Sequence, residues 1–156
     1  MREQHSAAEV RRVLDRTIVA FFRAVSFEPG LPPAYERLRE LFIARGLLIN
    51  NTGSSTEISD LEQFIGIRQA RFRAGEVTHY RVEEVSETTA IFGNVAHRAS
   101  VFKRSGTRDN KTFETRGMIF TQFVRTPGGW LMSAAAWDDQ RRGQVLSGHA
   151  EPTEFG

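Results

Sequence analysis

The sequence predicts an α+β fold in which three amino-terminal helices pack on an antiparallel β-sheet. The chain of 156 residues suits one hydrophobic core rather than two. Apolar residues recur at three- and four-residue steps as far as Gly75, and at every second position over most of the chain that follows. Because the helical and strand patterns are segregated along the chain, they favour an α+β fold over an alternating α/β fold.

An apolar stripe and a group of prolines define the first two helices. The first helix is expected from Ser6 to Phe27, and its stripe is formed by Val10, Leu14, Thr17, Phe21 and Val25. The segment EPGLPP ends this helix, because proline removes a backbone donor and restricts the residue before it. Pro33 then begins a second helix, expected to extend to Phe42, and residues 47–49 are expected to form a short strand or extended piece.

A capping box predicts the start of the third helix. Ser59 and Glu62 have the spacing at which each side chain satisfies a free backbone donor of the first turn, and Gly75 closes the helix. Its inner face is expected to carry Leu61, Phe64, Ile65, Arg68 and Phe72.

Four strands are predicted after the helices, over residues 76–86, 89–104, 112–126 and 129–138. The expected turns are Glu87–Thr88, the segment SGTRDN, and a type II turn in which Gly128 takes the positive φ. Connections this short make consecutive strands antiparallel.

The first turn leaves the register of the first two strands open. A two-residue loop at 87–88 brings His97 to the region of Thr78 or Tyr80, whereas a three-residue loop puts Tyr80 beside Ala96, with Arg98 on the same face.

Composition and missing motifs exclude several classes of function. The 21 basic and 19 acidic residues give a net charge of +2, which does not indicate a nucleic-acid partner; the basic stretch with Arg68, Arg71 and Arg73 reads as a solvated helix face. No apolar run approaches the roughly 20 residues of a membrane span, no signal peptide is evident, and we expect a cytoplasmic protein. There is no cysteine, the four histidines are scattered, and the common nucleotide loops and the serine-hydrolase elbow are missing, so we expect no metal and no cofactor.

The last strands are apolar on both faces, which predicts a dimer. In the strand over residues 129–138, Trp130 and Met132 point to one face of the sheet, and Leu131 and Trp137 point to the other. One layer of helices can cover only one face of such a sheet. We therefore expect a homodimer formed through the exposed sheet face.

Several local strings resemble the nuclear transport factor 2-like superfamily, and in particular its SnoaL-like bacterial branch. These strings are FFRAV, LRELFI, FGNVAHRASVFKR, TRGMIFTQFV and GGWLMSAAAWDDQRRG. The resemblance implies a cone-shaped α+β fold, in which a strongly curved antiparallel sheet wraps the helices around a pocket, usually in a dimer. One such domain is expected over residues 1–143, followed by a mobile tail over residues 144–156.

The resemblance implies that polar side chains inside the cone bind the ligand or move protons. The ligand-binding candidates are Tyr80, His97, Arg98, Arg116, Gln122 and Trp137. The catalytic candidates are His97 and Asp138. A structural interpretation stands beside each: His97 at an interface, Asp138 exposed at a strand end, Trp137 in the core, and the arginines paired with Glu83 or Glu84.

Three functions therefore compete at the level of the sequence. The first is a cofactor-independent isomerase, dehydratase or cyclase that acts on a small, mostly apolar molecule. The second is a module that binds such a molecule without chemistry, and the third is a dimeric interaction module with a filled cone. The twelve phenylalanines suit either an aromatic pocket or a filled core.

Overall fold

The computed structural model describes residues 5–141 and 143–146, and most of the predicted tail lies outside them. It contains two α-helices, α1 (Ala7–Val25) and α2 (Leu61–Arg73), and a 3₁₀ helix, Tyr35–Glu40. The strands are β1 (Phe42–Asn50), β2 (Glu57–Asp60), β3 (Val77–Phe92), β4 (Val95–Arg108), β5 (Lys111–Thr126) and β6 (Gly129–Asp139). The α+β class is confirmed. The predicted second helix is only the short 3₁₀ segment, so two of the three helices are α-helices.

Side-chain caps set the starts of both α-helices. The Ser6 hydroxyl accepts a hydrogen bond from the Glu9 backbone N–H at 3.2 Å, at the start of α1. At α2 the capping box is one residue later than predicted: Asp60 accepts from the Gln63 N–H at 2.8 Å, and Gln63 accepts from the Asp60 N–H at 2.9 Å. Ser59 is instead buried in β2.

The sheet is mixed, which corrects the prediction of an antiparallel sheet. The strand order is β2-β1-β6-β5-β4-β3, and every neighbouring pair is antiparallel except β1 and β6. The predicted fragment 47–49 belongs to a nine-residue strand, in which Leu48 lies opposite Ala135 in parallel register. The sequence did not predict this pairing, because residues 47–49 form a short apolar segment that is far from β6 along the chain.

The turn between β3 and β4 differs from both predicted loops. The chain turns at Gly93 and Asn94, where Gly93 has φ 56, the positive value that a type II′ turn needs at its first central position. His97 therefore pairs with Ala90, and Tyr80 pairs with Gly106. Both registers considered from the sequence are wrong, because β3 continues past residues 87–88 through a bulge between 84 and 86.

The other two hairpin turns lie where the sequence predicts them. Asp109 and Asn110 have φ 51 and 64, which makes a type I′ turn within SGTRDN. In the last hairpin Pro127 and Gly128 form the turn, but the positive φ, 112, falls on Gly129 rather than on Gly128.

The sheet curls around the helices. Helix α2 contacts both β1 and β3, which are four positions apart in the strand order. In a flat sheet these strands would be roughly 19 Å apart, about the full length of the 13-residue α2, so contact with both favours a curved sheet. The concave face and the helices enclose the core, and the convex face is left with exposed apolar side chains, among them Leu47, Ile58, Val95 and Phe120.

Candidate functional site

A small cavity lies between the helices and the concave face of the sheet. Its apolar wall is formed by Phe21, Phe22, Val25, Phe27, Phe64, Phe72, Val77, Val82, Phe102 and Ile119. Its volume is about 50 Å³, which is room for a few water molecules. The cone is therefore mostly filled by side chains but not closed.

The local structure explains which side chains reach this cavity. On α2, Phe64, Arg68 and Phe72 follow one another at four-residue steps and so share one face of the helix. On β3, Tyr80 and Val82 are two residues apart and point to the same side of the sheet. Phe27 joins them because its backbone forms an antiparallel bridge with Tyr80, with N···O distances of 2.8 and 3.1 Å.

The cavity leads into a polar mouth of about 340 Å³. One side of the mouth is formed by the loop between β1 and β2 and the strand ends that flank it, with Asn50, Thr52, Ser54, Ser55 and Glu57. The residues that line both the cavity and the mouth are Arg68, Arg71, Tyr80, Arg104, Arg108 and Trp137. The same arginines therefore face an apolar interior on one side and a hydrophilic opening on the other.

Arg68 is the arginine of the cavity wall whose Nε is buried without a partner among the described residues. Its Nε is shut off from solvent and makes no hydrogen bond in the part of the chain that the structure describes. Its guanidinium lies 4.8 Å from the centre of the Phe64 ring, a cation–π contact. Burial lowers the pKa of Arg68 below its ordinary value, and the nearby Arg71 acts in the same direction.

Arg71 and Arg104 are paired with carboxylates. Arg104 donates two hydrogen bonds to Asp139, at 3.0 and 2.5 Å, while Arg71 lies 3.5 Å from Glu57 and 3.6 Å from Glu76. Their charges are therefore largely compensated within the protein.

The exposed Arg108 has a different neighbour. Its guanidinium lies 5.8 Å from the ring centre of Phe113, and it makes no ion pair among the described residues. Arg108 thus contributes to the exposed side of the mouth.

Tyr35 is the buried phenol of the cavity wall. It is only 5% exposed, and burial raises the pKa of its hydroxyl above the ordinary value, an effect that Arg68 partly offsets. The hydroxyl stays protonated at neutral pH, so it can donate a hydrogen bond into the cavity.

The structure brings two of the predicted ligand-binding residues into the cavity and leaves the others outside its wall. Tyr80 and Trp137 line it. His97 is exposed on the convex face, opposite Gln122 on β5. Arg116 lies on the same face, opposite Lys103.

The two catalytic candidates lie apart from each other and outside the cavity. Asp138 pairs with Arg141 at the end of β6, and His97 lies on β4, two strands away. Neither side chain lines the cavity.

Arg98 lies on the concave face, where it forms an ion network beneath α1. It is 3% exposed and donates to both oxygens of Glu84, at 3.0 and 2.6 Å, and to Asp15 at 2.6 Å. Burial alone lowers the pKa of Arg98, but the hydrogen bonds with Glu84 and Asp15 outweigh it and leave the pKa above its ordinary value. These hydrogen bonds agree with the structural interpretation, in which a strand arginine is paired with a glutamate.

The described residues contain neither a cluster of metal-ligating side chains nor a helix that could span a membrane. Across residues 5–141 and 143–146, no three histidine, aspartate or glutamate side chains are grouped so that they could hold a metal ion. Within the same residues, no helix is long and apolar enough to cross a membrane.

Comparison with solved structures identifies the fold. A superfamily protein of nuclear transport factor 2 type from Salmonella enterica superposes with a TM-score of 0.74 over 92% of this chain and 100% of that one, at 13% identity. The chain has the fold of the nuclear transport factor 2-like superfamily. The SnoaL-like branch within it stays a prediction.

Other proteins with the nuclear transport factor 2-like fold are equally distant in sequence. An uncharacterised protein with a cystatin-like fold from Caulobacter vibrioides matches with a TM-score of 0.68 at 14% identity, over 86% of this chain and 92% of that one. A candidate dehydratase of the family from Streptomyces avermitilis matches with a TM-score of 0.67 at 10% identity, over 86% and 99%. No protein-family model and no curated protein matches the sequence.

Proposed function

We propose that this chain binds a small, mostly apolar molecule in the cavity of the cone. The observation that carries the proposal is an aromatic cavity that opens through a polar mouth and has polar groups set into its apolar wall. Apolar walls with a few polar groups that fix orientation are the usual composition of small-molecule sites.

The polar groups in the wall argue against a cone that serves only as a core. Arg68 and Tyr35 face the cavity, and the Nε of Arg68 is buried without a hydrogen-bond partner among the described residues. A buried polar group without a partner is costly, so a purely structural core would hold apolar side chains at these positions. A bound ligand can interact with the terminal nitrogens of the Arg68 guanidinium and with the Tyr35 hydroxyl, which both face the cavity.

Binding without chemistry is the better supported of the two ligand-handling functions. The described residues that line the cavity include no histidine, aspartate or glutamate. Proton transfer by an isomerase, dehydratase or cyclase would therefore depend on the tyrosines. Because its pKa is raised, Tyr35 can donate a proton but is a poor base at neutral pH.

We further propose that the protein is a homodimer joined through the convex face of the sheet. Phe120 and Val95, each about half exposed, lie on that face with Leu47 and Ile58. Residues 143–146 run beside part of it, where Val145 and Leu146 border a groove with Met118 and Phe120. Exposed apolar side chains grouped on one face are typical of an interface.

A neutral single-ring probe tests ligand binding directly. Because an aromatic ring is larger than the interior of about 50 Å³, we expect 4-fluorotoluene to bind where the cavity opens into the mouth. In ¹⁹F NMR its dissociation constant should be on the order of 1 mM, since roughly 0.5 kcal/mol per non-hydrogen atom is attainable for small ligands. Val82→Phe fills the cavity wall and should abolish binding. Val85→Phe enlarges an exposed residue of the same strand outside the cavity and should leave binding unchanged.

Two results would contradict the proposal. One is the lack of any saturable binding by the wild-type protein. The other is equal binding by the two phenylalanine variants, which would place the probe elsewhere on the surface.

A further inference from the structure

The position of Arg68 within α2 sets it apart from the other arginines. It occupies the inner face of the helix, four residues after Phe64 and four before Phe72, where an apolar residue would complete the stripe. The contact with the Phe64 ring at 4.8 Å holds the guanidinium at the boundary between cavity and mouth. Stacking on a ring occupies the face of the guanidinium and leaves its N–H edge free.

The charge of Arg68 is not compensated by the protein. Its Nε is inaccessible to solvent and without a partner, and no carboxylate of the described residues lies within ion-pair distance of it. The nearest charged neighbours include another cation, Arg71, and the carboxylate of Glu57, which is paired with Arg71 at 3.5 Å. An unpaired guanidinium with its edge free favours binding of an anion.

The charges around the mouth indicate how many negative charges the ligand carries. Arg71 is shared between Glu57 and Glu76, and Arg104 is held by Asp139. Four arginines against these three carboxylates leave one positive charge. A ligand with two negative charges would find only one uncompensated positive charge in the mouth. Its second negative charge would be repelled by the carboxylates of Glu57 and Glu76.

We infer that the ligand is an apolar monocarboxylic acid whose carboxylate binds the free edge of Arg68, while its hydrocarbon or aromatic part occupies the cavity. This inference rests on the proposed function, since it names the class of molecule that the cavity binds. A planar carboxylate matches the fork of N–H donors of arginine, and the aromatic wall takes the remainder of the molecule. Arg108, exposed at the rim, lies where an approaching anion passes.

A matched pair of probes isolates the role of the charge. 4-Fluorophenylacetate and 4-fluorophenylacetamide have nearly the same shape, but only the first is an anion at pH 7.5. In ¹⁹F NMR titrations at constant salt we expect the wild-type protein to bind the acid about ten-fold more tightly than the amide. Equal affinities would overturn the inference.

Variants at the two unpaired arginines locate the effect. Arg68→Met should remove the preference for the acid over the amide, whereas Arg108→Met should retain most of that preference. Arg68→Gln is a second variant that keeps a polar side chain and should lose the preference equally. Retention of the preference in a folded Arg68 variant, as judged by circular dichroism, would overturn the assignment to Arg68.

A dianionic probe tests whether the ligand carries only one negative charge. The neutral probes distinguish failure of the monocarboxylate assignment from failure of the proposed ligand binding. At pH 8.5, 4-fluorobenzylphosphonate is largely a dianion, and tighter binding of it than of the acid would overturn the assignment of a monocarboxylate. If the amide and 4-fluorotoluene bind but the acid gains nothing, the proposed function stands and this inference fails. If no probe binds, both fail together.

Discussion

At the scale of single residues, Arg98 shows how the concave face accommodates a charge far from the cavity mouth. Its guanidinium meets Glu84 through two hydrogen bonds and Asp15 of α1 through a third. Ser100 adds a hydrogen bond to Glu84 at 2.7 Å. With its donors taken up in this way, Arg98 ties α1 to the sheet.

Removal of Arg98 should therefore affect stability and not binding. We expect Arg98→Met to lower the free energy of unfolding by about 3 kcal/mol, because it leaves Glu84 in a partly buried site without its partner. Urea denaturation followed by circular dichroism measures this. The matched control is Arg81→Met, an exposed arginine on the neighbouring strand β3, which should change stability by less than about 0.5 kcal/mol.

A binding measurement distinguishes this structural role of Arg98 from a direct contact with the ligand. Arg98→Met should bind 4-fluorophenylacetate as the wild-type protein does, whereas weaker binding without a loss of stability would place Arg98 in the ligand site.

Some of the site residues could be predicted from the sequence and others could not. It placed Arg68 on the inner face of the third helix, which is correct, because the four-residue spacing of that stripe is independent of tertiary context. The same arginine was also read as part of a solvated basic stretch, since Arg71 and Arg73 follow it. An arginine inside an apolar stripe was the signal that separates these interpretations. The position of His97 could not be predicted, because it depends on the register of a hairpin.

At the scale of elements, two glycines let the long strands bend and pack closely. Gly106 on β4 lies opposite Tyr80, and an added Cβ there would overlap the carbonyl oxygen of His79. An added Cβ at Gly117 on β5 would overlap the carbonyl oxygen of Asp138. Backbone this close needs residues without side chains, and this approach accompanies the curvature of the sheet.

Two alanine substitutions test this packing, because they are expected to change the free energy of unfolding in opposite directions. Gly117→Ala should lower the free energy of unfolding by about 2 kcal/mol, because backbone atoms must move apart to make room. Gly66→Ala, at an exposed position inside α2 with no atom near the new Cβ, should raise it by about 0.5 to 1 kcal/mol. Equal effects in urea denaturation would show that the close approach at Gly117 does not constrain the sheet.

The elements were predictable where a local signal governs them. The periodicity of α1 and the turn residues Asp109 and Asn110 are such signals, and both elements lie where predicted. The Gly93–Asn94 pair is also a strong two-residue turn signal, but the turn was predicted at Glu87–Thr88, which lies inside β3. The partner of β1 was beyond the reach of local patterns, because it is a contact between distant parts of the chain.

At the scale of the whole molecule, the uncovered convex face predicts the state of assembly. Light scattering after size exclusion should give about twice the chain mass of 17.6 kDa at micromolar concentration. Phe120→Asp should give the monomer mass with the fold retained, because it places a charge in the centre of the apolar face. Val19→Asp, at a similarly exposed position on α1, should remain dimeric. A wild-type monomer at every concentration tested would contradict the proposal.

The parallel pairing of β1 with β6 also bears on the order in which the protein folds. β1 finds its neighbour in the strand that is synthesised last among the described elements, so the sheet cannot be completed while the chain is still short of residue 139. Until then β1 and β2 form an isolated pair, which is marginal in water, while β3, β4 and β5 can already form their hairpins. We therefore expect the pairing of β1 with β6, which closes the largest loop, to form late in folding, and the cavity to acquire its wall from Trp137 only then.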